Sequence, residues 1–171
     1  MKKMIKLLLI ISCSFLVSFT NVFAATKTII IDNDALSSAP GDNGSSYGFT
    51  YGTGSGNYNN DYRIAKPGTS SHYQWASKSV DYEDADYDVN YYVYLNNVKF
   101  TCPKAFYELS TSPVGTKGII KNQDTAPGGW NTIITHFGGA MDYVLAIEVS
   151  CHLSSGGGNV GADAAKMTYP N

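Results

Sequence analysis

The chain has 171 residues, a formal net charge of −2 at pH 7 and a single arginine, Arg63. A chain with so few guanidinium groups and a slight excess of acids lacks the positive surface that nucleic acids and anionic membranes require. The composition therefore argues against both classes of partner. The length fits one domain that follows a short targeting segment.

Residues 1–24 have the pattern of a secretory signal peptide. A positive segment, Met1–Lys6, precedes the apolar run Leu7–Phe19, and Val22–Ala24 offers small residues at the cleavage positions. The apolar run is too short for a confident membrane span. We therefore predict a secreted, extracellular protein with a mature domain at residues 25–171 and no membrane attachment after cleavage. The alternative is a lipoprotein signal in which Cys13 is the lipidated residue, but the sequence Ile10–Cys13 fits that pattern poorly.

Acidic residues mark the two ends of the predicted domain. Asp32 ends the first predicted strand, Thr28–Asp32, and Asp34 follows it, while Asp163 lies in the last predicted strand, Ala162–Thr168. The terminal strands of a small sandwich are often neighbours, so we expect these carboxylates to meet. They would then either accept backbone N–H bonds and brace the fold, or bind a structural calcium ion. Bracing is favoured, because the acids lack a recognisable calcium-loop spacing.

The segment Tyr87–Asn96 is the clearest strand in the chain. Its side chains alternate strictly between two chemical types, as they do when one face of a strand packs into a core and the other meets water or a ligand. The predicted inner face holds Val89, Tyr91, Val93 and Leu95, and the predicted outer face holds Asp88, Asn90, Tyr92, Tyr94 and Asn96.

Short strand-like segments separated by Gly, Pro, Asn, Asp and Ser continue through the chain, and no window keeps an apolar period of 3.6 residues. This pattern predicts an all-β protein, a single antiparallel β-sandwich. Cys102 and Cys151 are the two cysteines outside the signal segment. In an exported protein such a pair predicts a disulfide, which would contribute roughly 4 kcal/mol by closing a long loop.

Tyrosine is the residue type that points to a binding role. The chain has 13 tyrosines. A tyrosine ring can stack on the C–H face of a sugar, and nearby amide groups can form hydrogen bonds with the hydroxyl groups of the sugar. The predicted carbohydrate-binding residues are Tyr92, Tyr94, Asn90, Asn96 and Tyr58. The alternative for each tyrosine is a half-buried strand position without a ligand.

Nothing in the sequence marks a catalytic centre. His72, His136 and His152 are far apart, and no nucleophile or metal-protease motif accompanies them. Paired carboxylates for glycoside cleavage are not marked either. We therefore predict a protein that is not an enzyme and that needs no cofactor, apart from the structural calcium ion if the calcium alternative holds.

Several segments in order resemble the golvesin C-terminal-like domain, also called the golvesin/xanthan-lyase carbohydrate-binding-like domain. They are Ile29–Asp34, Gly56–Arg63, Tyr73–Trp75, Tyr87–Tyr94, Gly128–Ile133 and Ala162–Ala164. One departure is Lys166-Met167, where the family usually has Arg-Phe. The resemblance implies a galactose-binding-like, jelly-roll sandwich in an extracellular bacterial protein, with no defined catalytic residues. It also implies that Trp75 and Trp130 lie in the core.

These observations favour a secreted, non-catalytic carbohydrate-binding-like module that recognises an extracellular polysaccharide or cell-surface glycan through exposed tyrosines. The alternative is an extracellular structural or adhesive protein that binds a protein partner or a matrix. The oligomeric state is left open.

Overall fold

A computed structural model describes residues 25–34, 43–77, 89–96, 98–111, 115–137, 145–155 and 157–170. The predicted signal peptide lies outside the described residues. Within the described ranges, no helix is long and apolar enough to cross a membrane.

The described residues form short strands and one 3₁₀ turn, Tyr58–Asn60. The strands are β1 (Thr26–Ile31), β2 (Asn43–Tyr47), β3 (Thr50–Thr53), β4 (Asp61–Ala65), β5 (His72–Ser77), β6 (Asn90–Leu95), β7 (Lys104–Thr111), β8 (Gly115–Lys121), β9 (Gly129–Ile134), β10 (Leu145–Ser155), β11 (Val160–Ala162) and β12 (Ala165–Pro170).

All pairings between these strands are antiparallel. One sheet has four strands in the order β1-β12-β6-β9, and a second has five in the order β2-β5-β10-β7-β8. A third, smaller sheet has the order β11-β4-β3. The prediction of an all-β antiparallel fold is confirmed.

The first and last strands are neighbours, as the sequence predicted. Strand β1 pairs with β12 from Thr26 opposite Pro170 to Ile31 opposite Ala165. The four-stranded sheet thus joins the two ends of the domain. The predicted final strand is interrupted, however, because Asp163 and Ala164 lie between β11 and β12. This break separates two strands that belong to different sheets.

The alternation in β6 explains how the sheet faces the core. The four residues of the predicted inner face are buried, at most 1% exposed, while Asn90, Tyr92 and Tyr94 are half-buried on the other side. The inner faces of both large sheets contribute to one hydrophobic core, which includes Trp75 from β5 and Tyr107 from β7. The predicted core position of Trp75 is therefore confirmed.

A buried glutamine ties the core to strand β11. Gln123 Nε2 donates to Tyr107 Oη at 2.6 Å and to the Gly161 carbonyl at 2.9 Å, and its Oε1 accepts from Gly161 N at 3.0 Å. These bonds satisfy the polar side chain in an apolar setting, where an unpaired amide would be costly.

Candidate functional site

An aromatic cluster lies on the outer face of the four-stranded sheet. It consists of Tyr58, Tyr92, Tyr94 and Trp130, and all four side chains are half-buried. The ring centroids of Tyr94 and Trp130 are 5.3 Å apart in an edge-to-face arrangement, and Tyr58 lies 5.7 Å from Tyr94 and 5.5 Å from Trp130. These distances are those of favourable aromatic pairs. The cluster therefore presents a packed aromatic surface rather than isolated rings.

The side chain of Lys166 lies across this cluster. Its Nζ is 4.4 Å from the centre of the Tyr92 ring and 4.7 Å from the centre of the Trp130 ring. Both distances are within the range of a cation–π interaction. Strand pairing explains the contact, because Tyr92 of β6 stands between Lys166 of β12 and Thr132 of β9.

Three of the five predicted carbohydrate-binding residues, Tyr58, Tyr92 and Tyr94, come together in the aromatic cluster. The two asparagines have other partners. Asn90 Oδ1 accepts a hydrogen bond from His136 N at 3.2 Å, which helps to hold the segment after β9. This use of the amide oxygen gives Asn90 a structural role beside the cluster.

Asn96 lies inside the protein and not on the outer face. It is 6% exposed, because β6 ends at Leu95 and the alternation stops there. Its Nδ2 donates to Asn57 Oδ1 and to the Ser55 carbonyl, and its Oδ1 accepts from Val98 N. With these bonds made, Asn96 braces a turn and is not placed to meet a ligand.

The predicted core position of Trp130 is wrong. Trp130 stands opposite Tyr94 in the pairing of β6 with β9, so it shares the outer face with that tyrosine. Its neighbour Asn131, opposite the buried Val93, takes the inner position and is itself buried. The alternation of β6 combined with the β9 register is the signal that would have placed Trp130 correctly.

The carboxylates from the two ends of the domain do meet, in a buried polar cluster beside the aromatic one. Asn33 N donates to Asp32 Oδ1 at 2.7 Å, and the Asn33 amide also donates to Asp61. Asp163, 1% exposed, accepts a hydrogen bond from Tyr58 N at 3.0 Å. We call Asp32, Asn33, Asp61 and Asp163 the acidic cluster. Asp61 was not predicted.

Core aromatics also bond to this region. Tyr73 Oη donates to the Asn33 carbonyl at 2.8 Å, and Trp75 Nε1 donates to the Asp163 carbonyl at 3.2 Å. Arg63 Nε donates to the same Asn33 carbonyl at 3.2 Å. The backbone at both ends of the domain is thus fixed to the interior of the sandwich.

Burial disfavours negative charge in the acidic cluster. It raises the pKa of Asp163 to about 8, and the nearby carboxylates Asp32 and Asp61 raise it further while the bond from Tyr58 N opposes the shift. Burial also raises the pKa of Asp32, against the bonds from Asn33 N and Asn59. Near neutral pH Asp163 is therefore mostly protonated.

The acidic cluster positions the turn that carries Tyr58. Asp163 accepts from Tyr58 N, and Asp32 accepts from the Asn59 amide. Asn59 and Asn60 have positive φ angles of 50° and 66°, in the left-handed region that asparagine tolerates better than most residues. The carboxylates of the domain ends thus hold a strained turn, and through it one ring of the aromatic cluster.

The calcium alternative involved Asp32, Asp34 and Asp163. Among the described residues, no three His, Cys, Asp or Glu side chains are arranged to hold a metal ion. Two buried oxygens of the acidic cluster, Asn33 Oδ1 and Asp163 Oδ1, nevertheless lack a hydrogen-bond partner within the part of the chain that the structure describes. The hydrogen bonds to Asp32 and Asp163 support the bracing role, and calcium binding stays a prediction.

Cys102 is a buried free thiol in the core. Its backbone N–H bonds to the Asn159 carbonyl at 3.1 Å, which places it beside the segment that leads into β11. The side chain of Cys151 lies outside the described residues. The structure therefore does not show the predicted disulfide.

No protein-family model and no curated protein sequence matches the chain. Solved structures do match its fold. A xanthan lyase from Paenibacillus aligns with a TM-score of 0.58 and 22% identity over 82% of this chain. A family 35 carbohydrate-binding module from Clostridium thermocellum aligns with a TM-score of 0.55 and 13% identity, also over 82% of this chain.

The two alignments differ in how much of the other protein they cover. This chain spans 13% of the xanthan lyase but 97% of the family 35 module. At these identities the matches establish a shared β-sandwich fold. The resemblance to the golvesin family stays a prediction.

Proposed function

We propose that this chain is a secreted, non-catalytic module that binds an extracellular polysaccharide through the aromatic cluster. The observation that supports the proposal most directly is the convergence of Tyr58, Tyr94 and Trp130, half-exposed, on one sheet face. Sugars stack their C–H faces on such rings and bond their hydroxyls to neighbouring polar groups. The module fold of the family 35 neighbour is consistent with this role.

The sheet around the cluster supplies hydroxyl groups. Thr132 stands opposite Tyr92, and Thr168 stands opposite Asn90, both on the outer face of their strands. Thr132 is exposed and Thr168 is half-exposed. An extended saccharide lying along the sheet would therefore meet rings at one end and hydroxyls along its length.

Binding to immobilised polysaccharides tests the proposal, with Trp130→Ala and Tyr94→Ala as variants. Loss of a stacking ring is expected to weaken binding by roughly 10-fold, which corresponds to about 1.4 kcal/mol. The control is Tyr47→Ala, because Tyr47 is an exposed tyrosine that stacks on His72 in the other large sheet. Equal thermal stability of the variants would show that folding is intact.

Two outcomes would contradict the proposal. One is failure of the wild-type protein to bind any bacterial, plant or host polysaccharide. The other is binding that Tyr47→Ala weakens as much as Trp130→Ala does, since the ligand would then lie elsewhere. Capture of a protein partner without any glycan would instead favour the structural or adhesive alternative.

A further inference from the structure

We infer that the aromatic cluster prefers saccharides that carry carboxylate groups, and that Lys166 binds the carboxylate. The inference rests on the proposed function, because it specifies the ligand of the same site. Three features of the described residues carry it: the charge of the sheet face, the setting of the Lys166 ammonium group, and a second lysine near the same sheet, Lys121.

The outer face of the four-stranded sheet carries one charged side chain among its described residues. Register places Lys166 in a row with Tyr92 and Ile30, and Thr168 in a row with Asn90 and Thr28. The described outer-face side chains are Thr26, Thr28, Ile30, Asn90, Tyr92, Tyr94, Trp130, Thr132, Lys166, Thr168 and Pro170. The chain as a whole has a net charge of −2, but the described residues of this face carry a positive charge. A face with this local charge favours an anionic ligand.

The ammonium group of Lys166 is held in place by two aromatic rings of the cluster. It lies over the rings of Tyr92 and Trp130, and no carboxylate within the described ranges forms an ion pair with it. A lysine ammonium group has three N–H donors. The aromatic rings attract its charge but do not accept hydrogen bonds from all three donors, so a ligand can still bind to it. Because the rings already restrict the side chain, a ligand carboxylate would bind it at a smaller cost in entropy.

A second lysine lies near the same sheet. Lys121 Nζ donates to the Thr132 carbonyl at 2.9 Å, across the gap between β8 and β9. Thr132 stands directly opposite Tyr92. The positive potential around the aromatic cluster therefore has two sources, which suits a polymer with repeated negative charges.

The test compares a polymer with its neutral form. Binding to polygalacturonate and to the same polymer after methyl esterification is measured by calorimetry, for the wild type, Lys166→Met and Lys166→Arg. Methionine keeps the apolar contact with the rings and removes the charge. We expect Lys166→Met to weaken binding to the acid by about 3- to 10-fold, with little change for the ester, and Lys166→Arg to retain the preference.

Lys66→Met serves as the charge-matched control, because Lys66 is exposed in the turn after β4. Added salt should weaken wild-type binding to the acid and should have less effect on Lys166→Met. Binding of free galacturonate is measured as well, because it distinguishes recognition of a single acidic sugar from recognition of the polymer.

Equal or tighter binding of the wild type to the methyl ester would overturn the inference while leaving the proposed function in place. The same holds if Lys66→Met and Lys166→Met weaken binding equally, because the effect would then be one of net charge. Absence of binding to any polysaccharide, acidic or neutral, would count against both the inference and the proposed function.

Discussion

Asp163 is a buried carboxyl group whose raised pKa makes the stability of the fold depend on pH. Its pKa rises from an ordinary value of 3.8 to about 8 because burial disfavours its charged form. Between these values the folded protein holds a proton that the unfolded chain releases, so the free energy of unfolding falls as pH rises from about 4 to about 8. Above pH 8 the folded state carries the buried charge.

Asp163→Asn should remove most of this pH dependence. The amide keeps an oxygen that accepts from Tyr58 N, and it places a donor where the second oxygen has no hydrogen-bond partner among the described residues. We expect the variant to be more stable than the wild type at pH 9 by on the order of 2 kcal/mol, with a smaller difference at pH 5. Urea unfolding at the two pH values measures the change.

Asp124→Asn is the matched control, because Asp124 is exposed in the turn after β8. If both variants have the same pH profile, the buried proton is not the cause. Repeating the urea unfolding with added calcium and with a chelator shows whether Asp163 is neutralised by a proton or by a bound calcium ion. Stabilisation by calcium that Asp163→Asn abolishes would favour the calcium alternative for the acidic cluster.

The meeting of Asp32 with Asp163 was predictable from sequence, because both flank apolar segments at the ends of one domain. The participation of Asp61 was not. Asp61 contacts Asn33, 28 positions earlier, only because β4 of the smaller sheet packs beside the end of β1. Such a contact has no local signal, and its position depends on the packing of whole sheets.

Strand β11 shows how closely one element can approach its neighbour. A Cβ added at Gly161 would lie 1.9 Å from Cδ1 of Phe100, and Phe100 is fully buried. The strand is also fixed by bonds from Gly161 to Gln123, so it cannot easily shift. Gly161→Ala should therefore destabilise the protein by ~3 kcal/mol, as expected for overpacking of a core.

The double variant Gly161→Ala/Phe100→Leu tests the cause. If the clash is responsible, the smaller side chain should recover part of the loss, and the two substitutions should be non-additive in urea unfolding. Gly128→Ala is the control, because a Cβ there would meet its nearest atom, the Leu95 carbonyl oxygen, at 3.8 Å. Additive effects of Gly161→Ala and Phe100→Leu would contradict the explanation.

At the scale of elements, the alternation of side-chain types along a strand was a reliable signal, but the positions of the strand ends were not predictable. The alternation placed Tyr92 and Tyr94 on one face of β6. It could not show that the strand ends at Leu95 and that Asn96 is buried. Trp130 was misplaced for a related reason. Which face a residue of β9 occupies depends on its register against β6, and register is a property of the assembled sheet.

The whole sandwich depends on one core shared by both large sheets, and Cys102 is part of it. The structure has this cysteine as a free, buried thiol, whereas the sequence predicted a disulfide with Cys151. A buried thiol is protected from reagents until the fold opens, so its reactivity reports global unfolding. A disulfide would leave no thiol to react in either state.

Thiol labelling without reductant distinguishes the two cases, in a Cys13→Ser background so that only Cys102 and Cys151 report. We expect Cys102 to label slowly in the folded protein and rapidly in urea, because only unfolding exposes it. Cys102→Ser in the same background identifies its share of the signal. If the unfolded, unreduced protein takes up no label, the disulfide forms in solution, and its reduction should then cost roughly 4 kcal/mol of stability.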